Sequence, residues 1–298
     1  MEDLLQGVEV DGEAPRLEGE RLVTRRGPVG TRSARRLVYE RPADPELAAR
    51  VEVERRLFDL RSAVLEARVV QRPAASSPMA WLDLRLRDNP RLAHVAGRLP
   101  DLAGARVLEL GGSGEVTRAL LLAGASRVDQ LDVSPGMLRL ARARLTPEER
   151  ERVVQHVTFA ERLPFAARTF DLVYTRHCLH HMDRARVIPE AARVLRPGGA
   201  MVVIEPYLPP AIKLAARVRR RLVRAERGTD DPLGPDDLAL LRARFADVAE
   251  GGEPSVATLL RALPRRLRAG AQRADRHLPG AAARWVGGRV FVIARRPR

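Results

Sequence analysis

Apolar and polar positions along the middle of the chain fall into a repeating order of strand and helix. Val107, Leu108 and Leu110 within Arg106–Leu110 predict a buried strand, and Gly111-Gly112-Ser113-Gly114 predicts a tight turn after it. Glu115 to Leu122 then predicts a helix. Arg127–Val133 predicts a second short strand ending in a carboxylate, Asp132. Ser134 is a favoured N-cap and Pro135 a favoured first helical residue, so another helix opens there. Further apolar runs follow at Phe170–Tyr174 and Met201–Glu205, and Phe245–Val248 with Arg289–Ala294 predict a closing hairpin.

The flanks follow other patterns. Residues 1–43 show no sustained period and predict a loose arm with two short strands, Arg21–Thr24 and Arg36–Tyr39. Leu47, Val51, Leu57, Leu60, Val64 and Leu65 approximate a 3.6-residue period, which predicts a helix over 44–71. After a break at Pro73–Pro78, Trp81 to Leu86 and Leu92 to Leu99 predict helices leading into the sheet. The resulting division is an N-terminal arm and helical segment over 1–90, then a domain over 91–298 with helical inserts at 206–237 and 252–287. Both inserts are basic and amphipathic. The first sets Ile212, Leu214, Val218 and Leu222 beside Lys213, Arg217 and Arg220, and the second sets Leu259, Leu263 and Leu267 beside Arg261, Arg265 and Arg268. They read as a lid over a substrate cleft, with peripheral membrane contact as the alternative.

A strand, a glycine turn and a helix N-terminus let backbone approach a nucleotide-like ligand closely. Asp132 lies 21 residues beyond Gly111, the distance at which a doubly wound sheet sets an acid against a bound ribose. Downstream come Leu163-Pro164-Phe165, Phe170-Asp171-Leu172-Val173-Tyr174, Cys178-Leu179-His180-His181, Arg193-Val194-Leu195-Arg196-Pro197-Gly198-Gly199 and Met201-Val202-Val203-Ile204-Glu205. In this order, over roughly residues 95–207, the motifs resemble the class I S-adenosylmethionine-dependent methyltransferases, in particular the methyltransferase type 11 group.

The resemblance implies an α/β fold: a Rossmann-like seven-stranded sheet with a reversed C-terminal β-hairpin and helices on both faces. It implies S-adenosyl-L-methionine as cofactor. Glu109 would orient the methionine part, Gly111, Gly112, Ser113 and Gly114 would pack under the cofactor, and Asp132 would bind the ribose hydroxyls. Val133 and Met137 would lie near adenine, with Ala160 and Glu161 at its edge. The segment Thr175 to His181 would face the methyl group and the substrate, with Arg176 meeting an acidic substrate, the cofactor carboxylate or solvent. Two departures stand out. The family's Gly-x-Gly-x-Gly loop reads here as Gly111-Gly112-Ser113-Gly114-Glu115, so the loop is one residue short or Ser113 and Glu115 replace glycines. Phe159 stands where the family often carries an acid.

Methyl transfer from a sulfonium is an in-line displacement, so the protein mainly holds nucleophile and methyl carbon in line. A base helps where the acceptor is a poor nucleophile in its protonated form. His180 and His181 are the candidate catalytic residues, with His177 and Tyr207 on the substrate side. A structural hydrogen bond is the competing role for the histidine pair. The spacing of His177, Cys178, His180 and His181 offers a zinc ion two ligands at best, so no metal site is expected.

Composition limits the partners. With 45% hydrophobic and 31% charged residues the chain reads as soluble and globular. No run of 18 apolar residues or signal-peptide pattern is present, so the expected location is cytoplasmic. The single cysteine, Cys178, excludes an internal disulfide and reads as a buried structural thiol. Net charge is 0 over 1–90, +5 over 91–204 and +10 over 205–298, almost all of it from arginine. Aromatic content of 4% and the lack of an RNA-binding module speak against a nucleic-acid partner. The expected reaction is methyl transfer to oxygen or carbon of a small or medium organic acceptor. The alternatives are a non-catalytic cofactor-binding or scaffolding relative, and a membrane-peripheral lipid or quinone methyltransferase. Oligomeric state is left open.

Overall fold

The computed structural model describes residues 2–33, 35–40, 42–69, 92–112, 114–209, 212–214, 231–255 and 287–297, with 278, 279, 282 and 285 between the last two stretches. Four short strands open the chain: β1 (Arg16–Glu18), β2 (Arg21–Thr24), β3 (Gly27–Ser33) and β4 (Arg36–Tyr39). Helix α1 (Pro45–Val69) and the single turn α2 (Ala93–Ala96) precede the alternating part. That part runs β5 (Arg106–Leu110), α3 (Glu115–Leu122), β6 (Arg127–Asp132), α4 (Pro135–Ala143), α5 (Pro147–Glu151) and β7 (Val153–Val157). It continues through β8 (Phe170–Arg176), α6 (Arg184–Val194), β9 (Leu195–Tyr207), α7 (Pro235–Arg244), β10 (Asp247–Pro254) and β11 (Gly288–Arg295).

The strands form one sheet in the order β1-β2-β3-β4-β7-β6-β5-β8-β9-β11-β10. Strands β4, β7, β6, β5, β8 and β9 pair in parallel, and β11 returns antiparallel between β9 and β10. The expected α/β architecture and reversed last hairpin are present, but the sheet has eleven strands rather than seven. The additional four are the antiparallel meander β1–β4, joined to the main sheet through β4 and β7. Arg21–Thr24 and Arg36–Tyr39 are strands as their alternation indicates, whereas β3 carries Gly27, Pro28 and Gly30, residues that strands ordinarily disfavour. Gly30 is required there: a Cβ on it would lie 2.1 Å from the Val38 carbonyl oxygen.

Side chains alternate across the sheet and split its core in two. Leu108, Leu110, Leu131, Val173 and Val203 pack on one face with Val187, Ile188 and Ala191 of α6 and Leu238 and Leu241 of α7. Val107, Val128, Leu172, Val202 and Ile204 pack on the other with Val116, Ala119 and Leu120 of α3. Strands buried on both faces explain the continuous apolar runs in the sequence.

A buried ionic cluster fastens the N-terminal strands to this sheet. Asp129 of β6, fully buried, accepts from Arg106 Nε (2.9 Å), Arg127 Nη2 (2.9 Å) and His156 Nε2 (2.9 Å). Tyr39 of β4 lies 3.0 Å from the other ring nitrogen of His156, and Arg106 Nη2 donates to the Gln6 carbonyl (2.7 Å). Burial alone would raise the Asp129 carboxyl. The hydrogen bond from His156 and the charges of Arg127 and Arg106 instead hold it well below the usual carboxylate range.

On helix α1 the apolar period does not mark the inward face. Leu57, Leu60 and Val64 are 41%, 71% and 61% exposed, and Val53 joins the same outer stripe. The inward face is set instead by Leu47 and the buried polar residues Glu54 and Ser62. Most of the two basic inserts, 210–211 and 215–230 in the first and 256–277 in the second, lies outside the described residues, as does 70–91. No helix among the described residues is long and apolar enough to cross a membrane.

Candidate active site

The carboxyl ends of β5, β6 and β8 open onto a cavity of about 260 Å³ roofed by α1. Such crevices at the carboxyl ends of parallel strands are where ligands bind in open α/β sheets. Glu109, Gly111, Gly112, Asp132, Val133, Met137, Ala160, Glu161 and Arg176, nine of the eleven residues read as cofactor-binding, line this one space. Ser113 lies outside the described residues. Gly114 stands behind the wall as N-cap of α3, with φ +81° and a position where a Cβ would lie 2.6 Å from the Ala141 Cα. Glu115 is the first residue of α3, so it belongs to the helix and not to the glycine turn.

The glycine turn is held against its neighbours so tightly that side chains are excluded. A Cβ on Gly111 (φ +76°) would lie 2.2 Å from Cys178 Sγ, and one on Gly112 would lie 2.3 Å from Gln130 Nε2. The turn is therefore a bare backbone surface within the cavity wall.

Two carboxylates face this space from neighbouring strands. Asp132 accepts from the backbone N–H of Ser134 (2.8 Å) and Gly112 (3.3 Å). Burial outweighs these bonds and, with the nearby Asp59 charge, raises its carboxyl to about 7. Glu109 accepts from Thr117 Oγ1 at 2.5 Å, and burial lifts it likewise to about 7, with Asp132 adding to the rise. Two desolvated carboxylates favour a ligand that brings hydrogen-bond donors or positive charge to them. The ammonium group and ribose hydroxyls of S-adenosylmethionine are such groups, so Glu109, Asp132 and the bare glycine turn fit that cofactor.

The adenine side of the expected site is built by α4 and α1. Ser134 Oγ accepts from the Met137 N–H (3.0 Å), which caps α4 as its Ser-Pro start indicates. Asp59 of α1 receives both Ser134 Oγ–H (2.6 Å) and the Gly136 N–H (3.1 Å), fixing the corner where Val133 and Met137 enter the cavity. Arg50 of α1 ion-pairs with Glu161 and donates to the His181 carbonyl at 3.0 Å. Phe159, at the position where the family often has an acid, is buried in the core.

The histidines part company. His180, read as catalytic, does not line the cavity: Nδ1 is 2.6 Å from Glu205 Oε2. The same carboxylate receives the N–H groups of Cys178 and Leu179 at 2.8 Å, so the His180–Glu205 pair folds the loop. His181 does line the cavity, beside Phe58, Cys178 and Met182. His177 lines it too, at φ +52°, a left-handed conformation uncommon for a side-chain-bearing residue. Desolvation, with Arg289 and Arg176 close by and against the opposing Glu205 charge, lowers the His177 imidazole to about 4, although the residue is exposed. Tyr207, read as substrate-binding, is instead packed in the core at the end of β9. Cys178 is half-buried and faces the cavity, and burial pushes its thiol well up.

The roof residues were not singled out from the sequence. Arg50, Glu54, Phe58, Arg61 and Leu65 of α1 line the cavity at spacings of four, four, three and four. The signal was present as charged residues and an aromatic at helical spacing, opposite the apolar stripe.

Residues 108–203 match the methyltransferase-domain family. The 27-O-demethylrifamycin SV methyltransferase of Amycolatopsis mediterranei is 38% identical over 120 residues, covering 39% of this chain and 44% of that protein. A ubiquinone/menaquinone biosynthesis C-methyltransferase of Bordetella parapertussis is 39% identical over 117 residues, covering 38% of this chain and 45% of its own. The chain thus spans less than half the length of these relatives. Among solved structures, Haemonchus contortus phosphoethanolamine N-methyltransferase 2 in complex with S-adenosyl-L-methionine aligns with TM-score 0.52 at 20% identity. That alignment covers 84% of this chain and 60% of that one, and it is a likeness of fold.

Proposed function

We propose that this chain, whose residues 108–203 are a class I S-adenosylmethionine-dependent methyltransferase domain, moves the methyl group of S-adenosylmethionine to a small or medium organic acceptor. The observation that carries this reading is the meeting of nine expected cofactor residues, from four separate segments, around one cavity. Bound there, the cofactor would supply an activated methyl group. Asp132 would accept from ribose hydroxyls, Glu109 would pair with the ammonium end, and Gly111 and Gly112 would give it a flat floor. The Arg50–Glu161 pair would close the adenine end. His181, in the cavity wall, stands where an acceptor proton could be taken, whereas His180 holds the loop through Glu205.

An organic acceptor at oxygen or carbon agrees with the relatives' names, which pair a 27-O-demethyl substrate with a quinone-pathway C-methylation. Calorimetric titration with S-adenosylhomocysteine tests the reading. Binding in the micromolar range, about −8 kcal/mol, that is lost in Asp132→Ala supports it. Absence of binding to the parent protein refutes it.

A further inference from the structure

We infer that Arg36, Gln155 and Gln130 form a hydrogen-bond relay across four strands that fixes Glu109 as an acceptor for the ammonium end of the cofactor. The inference rests on the methyl-transfer reading and deepens it by naming the residues that position Glu109. The four side chains occupy one row of the sheet. Arg36 of β4 pairs in register with Gln155 of β7, Gln155 with Gln130 of β6, and Gln130 with Glu109 of β5. Gln155, Gln130 and Glu109 are buried, on the face that also carries Val153, Val128 and Val107. A polar row in an apolar layer is costly unless each group finds a partner.

Each group does, and the donors all point one way. Arg36 donates to Gln155 Oε1 from Nη2 (2.9 Å) and Nε (3.3 Å). Gln155 Nε2 donates to the Leu138 carbonyl (2.6 Å) and to Gln130 Oε1 (2.9 Å). Gln130 Nε2 donates to Thr117 Oγ1 (2.8 Å) and lies 3.5 Å from Glu109 Oε2. Thr117 Oγ1 donates to that same oxygen at 2.5 Å.

Chemistry dictates this direction. A guanidinium can only donate and a peptide carbonyl can only accept, so the Gln155 amide has one satisfied orientation between Arg36 and Leu138. Gln130 must then turn its oxygen to Gln155 and its N–H groups to Thr117 and Glu109. The Thr117 oxygen accepts from Gln130, and its proton is directed to Glu109. Both bonds to Glu109 fall on Oε2 and leave Oε1 for a ligand in the cavity that Glu109 lines. Donors aimed at a carboxylate favour its charged form, which is the form that pairs with an ammonium group. Gln130 also backs the glycine turn, since a Cβ on Gly112 would lie 2.3 Å from its Nε2. Arg36, Gln155 and Gln130 do not line the cavity and are positioning residues.

The test reads the Glu109 carboxyl directly, by 13C NMR of the full-length chain labelled at glutamate Cδ, with Glu109→Gln assigning the signal. In the ligand-free parent it should titrate at about 7. Gln155→Met breaks the relay at its centre and should raise that midpoint by about 1. The other titratable and charged groups around Glu109 are Asp132 of β6, Tyr174 and Arg176 of β8, His177 and Cys178 after it, and Glu54 of α1. They are common to parent and variant, so the difference isolates the relay. S-adenosylhomocysteine should bind Gln155→Met about tenfold more weakly than the parent at pH 6 and equally at pH 9. Adenosine, which lacks the ammonium end, should bind both alike. Arg36→Met should act in the same direction, whereas Arg36→Lys, which keeps a cationic donor, should match the parent. An unchanged Glu109 titration in a folded Gln155→Met overturns the inference, as does equal weakening of adenosine and S-adenosylhomocysteine. If Gln155→Met does not fold, the two Arg36 variants decide. Failure of the parent to bind S-adenosylhomocysteine instead overturns the methyl-transfer reading, and the Glu109 titration then judges the relay by itself.

Discussion

The two raised carboxyls make ligand binding depend on pH across the neutral range, where ordinary acid groups are already fully ionised and add no dependence. Asp132 and Glu109 both titrate at about 7 in the free protein. The ionised forms are the ones that accept from hydroxyls and pair with an ammonium group. For one carboxyl titrating at about 7, the ionised fraction falls roughly tenfold from pH 8 to pH 6, equivalent to about 1.4 kcal/mol of binding free energy. Adenosine, which lacks the amino-acid end, reports on Asp132 alone and should bind about tenfold more weakly at pH 6 than at pH 8. S-adenosylhomocysteine, which on the proposed reading meets both groups, should weaken by up to about a hundredfold. Calorimetric titration of each ligand at pH 6, 7 and 8 makes the comparison. The same groups act on stability with the reverse sign. Their folded values lie above the ordinary 3.8 and 4.5, so between pH of about 4 and 7 the fold holds protons that the unfolded chain has released, and their contribution favours the ligand-free fold as pH falls. Binding constants that stay level between pH 6 and 8, or that tighten toward pH 6, would refute this account of the site.

Other perturbations probe its parts separately. Gly111→Ala places a methyl group 2.2 Å from Cys178 Sγ and 2.6 Å from its Cβ at a positive φ, so S-adenosylhomocysteine affinity should fall by at least about tenfold; Cys178→Gly in the same chain, which removes both atoms, should recover part of that loss. Asp129→Asn leaves Arg106 and Arg127 buried without their shared carboxylate and should lower unfolding free energy in urea by about 3–5 kcal/mol. Arg50→Ala breaks both the Glu161 pair and the bond to the His181 carbonyl, and is expected to weaken S-adenosylhomocysteine by about three- to tenfold with little change in Tm. Leu60→Ser, at a side chain 71% exposed, should change stability by no more than about 0.5 kcal/mol; a larger loss would show that the outer stripe of α1 is covered in solution.

The strands flanking the glycine turn were legible because parallel strands buried on both faces have few alternatives to continuous apolar sequence. Arg106–Leu110 and Arg127–Asp132 appear almost residue for residue, and Ser134-Pro135 announces α4 through a cap that local chemistry alone dictates. Strand β7 was not legible, because Val153-Val154-Gln155-His156-Val157 buries Gln155 and His156 along with its valines. Those two are tolerated by long-range partners, Gln130 and Asp129, that no local pattern shows. The meander β1–β4 extends the sheet for a similar reason: Tyr39 reaches His156 across 117 positions of sequence. On α1 the periodicity was real, but the side facing inward is the polar one, since it roofs a cavity and not a core.

This last inversion bears on how such a domain acquires its chemistry. The residues contributed by the sheet, Glu109, Gly111, Gly112 and Asp132, sit within the stretch that matches the methyltransferase-domain family, and the relatives of this chain include both a 27-O-demethylrifamycin SV methyltransferase and a quinone-pathway C-methyltransferase. These four residues cannot by themselves distinguish acceptors. Glu54, Phe58 and Arg61 lie outside that stretch, on a helix that meets the site only after the chain has folded. On the proposed reading, the groups for the cofactor's ribose and methionine ends come from the matched stretch, while α1 adds groups to the adenine end and to the rest of the cavity, and only the first set carries a family pattern. His181 is where the two meet: it belongs to the matched stretch, yet the carboxylate beside it comes from α1. Replacing α1 while leaving 108–203 intact should, on the proposed reading, change which acceptors react and weaken S-adenosylhomocysteine through the lost Arg50 and Asp59 contacts, while Glu109 and Asp132 stay in the cavity wall.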